Sequence, residues 1–145
     1  MDSTFKALAG IHGVFGVLWI IMIFWFYTAV SAYLSSPTEE TASRLMVSGN
    51  VSRMIGGLAI IMGIVVAALT GYLHSSFSFD STGGILLSIG IVFAIISYVI
   101  FGEGFAMRLA KNITPEKGRD LKKYVSLELV FAVLTLIFMA LGALI

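Results

Sequence analysis

The chain has no cysteine among its 145 residues. That absence removes disulfides, thiolate metal sites and cysteine nucleophiles together. Charge is also scarce. Asp, Glu, Lys and Arg make up 12% of the sequence, about half of the roughly 25% usual in a soluble domain. Proline occurs twice, at Pro37 and Pro115, and histidine twice, at His12 and His74. There is no glycine-rich phosphate loop, no His-Glu-x-x-His and no Ser-His-Asp set outside the apolar runs, so no catalytic residue is assigned. What fills the space is apolar: 59% of the chain is hydrophobic. A surface this apolar has lipid as its natural solvent.

A spanning helix needs about 20 apolar residues. No Asp, Glu, Lys or Arg lies between Lys6 and Glu39, which puts a first span within 7–34. The cluster Ser35-Ser36-Pro37-Thr38 ends it, and Thr38 or Thr41 is placed to cap the next helix. That helix starts polar, and its membrane part is 54–73. A third span covers 81–102, a charged loop Lys111–Lys123 follows, and a fourth span covers 124–145. The runs are apolar on all sides and lack the alternation of membrane β-strands. The expectation is an all-α, integral-membrane, antiparallel four-helix bundle forming one domain. The first apolar stretch is too long for a cleavable signal and reads as a retained span.

Lysines and arginines near span ends set orientation. Arg44, Arg53, Arg108, Lys111, Lys117, Arg119, Lys122 and Lys123 fall in the first and third connections, against Lys6 alone on the other side. Loops 35–53 and 103–123 are therefore expected in the cytoplasm, with both termini and the turn around His74–Ser81 outside the cell (plasma) membrane. The basic loop alternates with Glu116 and Asp120, so contact with anionic lipid explains it better than nucleic acid does.

Small residues every fourth position favour close helix approach in lipid. Gly63, Ala67 and Gly71 form such a stripe, with Gly56 further along, and Gly90, Ala94 and Ser97 form another. His12 precedes Gly16 and Trp19 on one face of its helix, and His74 follows the Gly71 stripe. Each histidine lies about 12–16 Å from the middle of its span at 1.5 Å per residue, at the outer end in both cases. Two imidazoles at one depth beside small residues can hold haem b between them. They can also bind copper or zinc, with Met1, Asp2 and Asp80 completing the site. At the other end Arg53, Glu103, Arg108 and Glu128 share a depth. They form either a salt-bridge network fixing helix register, or a proton relay or site for a small anion or quinone headgroup. Gly102 and Gly104 flank Glu103 and are expected to loosen its helix.

The run Leu8-Ala9-Gly10-Ile11-His12-Gly13-Val14-Phe15-Gly16-Val17-Leu18-Trp19 resembles the first helix of copper-resistance-D-like proteins and J-type protoporphyrinogen oxidases. The resemblance covers about a quarter of the chain and rests on His12 and Trp19. It implies a haem- or copper-associated role for His12. The oxidase pattern also has an arginine and a His–aromatic cluster late in that helix, where this chain has Ile23-Phe24-Trp25-Phe26-Tyr27. Two functions follow as expectations. One is a small membrane protein binding haem or a metal near its outer face in electron or metal transfer. The other is a non-catalytic accessory or assembly subunit of a larger membrane complex. A small transporter would need a homo-oligomer, because four helices enclose little space.

Overall fold

The computed structural model describes residues 3–69 and 82–144, with only the backbone of residues 4–6 and 69. It is an antiparallel bundle of four helices, each long and apolar enough to cross a membrane. α1 is Ser3–Ser35 and α2 is Glu39–Leu69. α3 runs from Thr82 to Ala110 and is π-helical over Ile96–Ala106. α4 is Pro115–Leu144. α1 packs on α2 and α4, and α4 packs on α3 along its length. α2 meets α3 through the π-helical segment and the last turn beyond it.

The helices reach past the apolar runs. Residues 39–53 are helical, as the expected cap at Thr38 implies, and residues 103–110 and 115–123 are helical as well, so the connections are only 36–38 and 111–114. Two causes act together. Both starts are well capped: Thr38 N–H donates to Thr41 Oγ1 (3.0 Å) and Thr41 N–H returns to Thr38 Oγ1 (3.2 Å). Pro115 opens α4 at the position where a missing N–H costs nothing, and Thr114 accepts from Lys117 N–H (3.3 Å). The turn between α3 and α4 is made by Asn112 at φ 51°, a left-handed conformation that asparagine tolerates. The second cause is packing. The polar starts of α2 and α4 enclose the far half of α1, where Ile23, Phe26, Val30 and Tyr33 are buried with Leu45, Leu121 and Val125. Burial of that area, at about 25 cal/mol per Å², holds helices that the membrane alone would not order.

α1 has 33 residues, about 50 Å at 1.5 Å per residue, whereas the hydrocarbon layer is about 30 Å thick. The excess is this packed end. Lys122 lies over the Tyr27 ring (5.5 Å) and Lys123 over Tyr124 (5.7 Å). Aromatic rings with lysines at one level have the composition of a membrane–water boundary. Of the eight basic residues of the first and third connections, all but Arg53, which lies midway along α2, belong to this end of the bundle.

The join between α1 and α2 has a simple rule. His12 rests on Gly63, Trp19 on Gly56 and Phe26 on Gly49. Each step of seven along α1 meets a step of seven back along α2, the spacing of a left-handed antiparallel coil. A fourth ring, Tyr33, continues the repeat and turns to Gly118 of α4, donating from its hydroxyl to Ile113 O (3.3 Å). A methyl at Gly56 would lie 2.6 Å from Trp19 Nε1 and 2.9 Å from Tyr98 Cδ2, pinned between two rings. Gly16, by contrast, has nothing within 4 Å of where its Cβ would stand. Gly56→Ala should therefore cost about 1–3 kcal/mol through overpacking, while Gly16→Ala should be neutral or stabilise by up to about 1 kcal/mol. Thermal unfolding of both variants in one detergent checks this; equal melting temperatures would contradict it.

Candidate functional site

Arg53, Tyr98, Glu103 and Glu128 gather where α2, α3 and α4 converge. Arg53 comes from the middle of α2. Its Nε lies 2.6 Å from Glu103 Oε1 on α3. Tyr98, five residues before Glu103, donates its hydroxyl to the Arg53 carbonyl (3.1 Å). The same Tyr98 ring meets Trp19 edge-on at 6.2 Å, across Gly56. Thus the ring-on-glycine rule that joins α1 to α2 also fixes where α3 touches α2.

Glu128 enters from α4 and is only 4% exposed. It is four residues past Tyr124, about 6 Å deeper along the helix. Its Oε1 approaches Gly102 so closely that a Cβ there would stand 2.9 Å away. Gly102 is available because α3 is π-helical here: Met107 N–H bonds to Gly102 O, five residues back. The wider turn shifts the face that α3 offers to α4, and π-turns recur at functional sites. Ser97 Oγ donates to the Glu128 backbone carbonyl (2.7 Å) and fixes the register of α3 on α4. Aromatic stacking of Phe105 on Tyr124 (4.5 Å, 7°) closes the boundary side of the site.

Two spaces adjoin these residues. One is a small, partly open pocket of about 10 Å³, lined by Ser52, Arg53, Tyr98, Glu103 and Glu128 with Phe26 and Met107 among its walls. The other is an open groove of about 490 Å³ on the outer surface of α2, lined by Asn50, Arg53, Met54, Leu58, Ile61 and Tyr98. Arg53 and Tyr98 belong to both.

Of the four charges expected to form one network, the structure brings Arg53, Glu103 and Glu128 around the small pocket. Arg108 is exposed near the end of α3. Among the described residues the ion pairs are Arg53–Glu103 and Arg44–Glu40, and neither includes Glu128. Asn50, Ser52 and Tyr98 were not legible as site residues. Their signal is position alone: Asn50 and Ser52 precede Arg53 within one turn, and Tyr98 precedes Glu103 by five residues, the hydrogen-bond step of a π-helix.

His12, Gly16 and Trp19 do not form a common pocket. His12 Nδ1 is 2.9 Å from the Ala59 carbonyl and so carries the proton in that bond, leaving the lone pair on Nε2. Trp19 is buried against Gly56 and Tyr98, with its Nε1 unpartnered. Gly16 stands clear of both. His74, Gly71, Met1, Asp2 and Asp80 lie outside the described residues. Among the described residues no three of His, Cys, Asp and Glu come together to hold a metal ion.

Ser97→Ala removes the 2.7 Å bond to α4 and should cost about 1 kcal/mol, read as a lower unfolding midpoint in detergent. Ser126→Ala breaks only a bond within its own helix, to Lys122 O, and should shift the midpoint less. The reverse order would contradict the role given to Ser97. No protein-family model, curated protein or solved structure matches this chain; it is a small four-span membrane protein in contact with the lipid bilayer.

Proposed function

We propose that the protein binds an amphipathic molecule dissolved in the bilayer, of the quinone class, and serves electron transfer in the membrane. The observation that carries this reading is Arg53 at an open groove on the outer surface of α2 that continues over Met54, Leu58 and Ile61. Met54, Leu58 and Ile61 suit an isoprenoid-like tail, and Tyr98 offers a ring beside the head. A guanidinium has five N–H donors, more than one carboxylate uses, so Arg53 can hold Glu103 and a headgroup carbonyl together. The size of the groove falls within the usual range for small-molecule sites, about 300–1,000 Å³. In this reading the basic end of the bundle faces the cytoplasm of a plasma membrane, as the basic residues there favour.

A short-chain quinone should quench Trp19, which touches Tyr98 at the groove. In a Trp25→Phe background Trp19 is the sole tryptophan, since the chain has two. Arg53→Ala should weaken quenching about tenfold, the equivalent of one charge-assisted hydrogen bond. Arg44→Ala, at an exposed pair, should leave it unchanged. Equal quenching in all three proteins would remove the assignment.

A second reading keeps His12 as an axial ligand to haem b or a ligand to copper, with His74 as its partner. The bond from Nδ1 to the Ala59 carbonyl supports it, because ligating histidines characteristically donate their other N–H to such an acceptor. The resemblance of the first helix to copper-resistance-D-like proteins favours it too. Protein purified from haem- and copper-supplied cells should then show a Soret band or stoichiometric copper that His12→Ala abolishes. A colourless, metal-free wild-type protein would end this reading.

A further inference from the structure

Glu128 has no part in the groove, yet burying a carboxyl in a membrane bundle is costly and marks function by default. Three features surround it. The partly open pocket of about 10 Å³ matches the space that one water needs, roughly 10–15 Å³ by the same measure. Ser52 Oγ, on a residue 2% exposed, lines that pocket and has no hydrogen-bond partner. The pocket also touches Arg53, Glu103 and Tyr98, and Arg53 and Tyr98 reach the open groove as well. Arg53 and Tyr98 therefore join the groove to the pocket that the buried carboxyl lines.

The charges facing the pocket are few. α1 contributes Phe26, which is apolar; α2 contributes Ser52 and Arg53; α3 contributes Tyr98, Glu103 and Met107; α4 contributes Glu128 itself. Arg53 is paired with Glu103. The carboxylates outnumber the cations here by one, and a proton is the smallest species that balances the excess.

We propose that Glu128 is a reversible proton-binding site, loaded through a single water held between Ser52 and Glu128. In the loading step a proton donor at the Glu103 mouth gives a proton to that water. The water passes a different proton to a Glu128 oxygen, forming one O–H bond there as one breaks on the water. The carboxylate becomes a neutral acid, and release reverses each transfer. No electron moves and no co-reactant is consumed. The site stands independently of any ligand in the groove.

Infrared difference spectroscopy of the full chain in lipid vesicles, across an acid-to-alkaline pH jump, tests the proposal. The wild type should give a carboxylic-acid C=O band, sensitive to deuterium, that appears at acid pH and disappears at alkaline pH. Glu128→Gln should lose this band completely, and Glu103→Gln should retain it. Ser52→Ala should keep the band but slow its deuterium exchange severalfold. Absence of the band in the wild type, or its survival in Glu128→Gln, would overturn the proposal. If Glu128→Gln does not fold, wild-type protein with ¹³C-labelled Glu and Gly answers instead. The carboxyl signal correlated with Gly102 Cα should move between ionised and neutral positions with pH, and a signal fixed in one form overturns the proposal.

Discussion

Rings on glycines hold α1 to α2. Helices in lipid gain nothing from hiding apolar surface from one another, so they associate through close contact and hydrogen bonds. Each atom pair contributes only about 0.1–0.2 kcal/mol, and a large ring touching bare backbone collects many such pairs. His12, Trp19 and Phe26 do so on Gly63, Gly56 and Gly49. The register that results decides what else can meet. It sets Tyr98 against Gly56, which carries Arg53 to Glu103, and it sets Phe26 and Met107 on Gly49 as a wall of the small pocket.

The two ends of the bundle are stabilised differently. At the basic end the helices continue past the expected hydrocarbon thickness, and Ile23, Val30, Leu45, Leu121 and Val125 form a core like that of a soluble protein. Toward the other end large side chains such as Ile61, Ile64 and Leu141 are exposed, as lipid-facing residues are. The polar site lies where these regimes meet, one turn inside the level of Tyr124 and Lys123.

Much of the fold could be read from the sequence, because four long apolar runs leave little choice. Gly56 and Gly63 were visible as members of a small-residue stripe, and the spacing of His12 and Trp19 was visible as well. What was hidden is that these are one feature. A stripe read at intervals of four leads from Gly63 to Ala67 and away from Gly49. It takes both helices, matched at intervals of seven, to bring Phe26 and Gly49 into the pattern. Arg53, Glu103 and Glu128 were legible as embedded charges, but their grouping without Arg108 was not. It depends on the π-helix over Ile96–Ala106, which changes the face each residue presents. The glycines beside Glu103 gave the one hint of it. The start of α2 was legible from the cap at Thr38, but the start of α4 inside the charged loop was not, since capping at Thr114 and packing on α1 outweigh local polarity.

The register of α1 on α2 is the claim on which the rest stands, and the lack of native cysteine makes it directly measurable. Paired cysteines at positions 12 and 63, or at 26 and 49, introduced into the protein in its membrane, should cross-link rapidly under mild oxidation or with a short thiol bridge. A pair displaced by one heptad, at 12 and 56, should not. Cross-linking of the displaced pair at the rate of the matched ones would contradict the register, and with it the positions of the groove and the buried carboxyl.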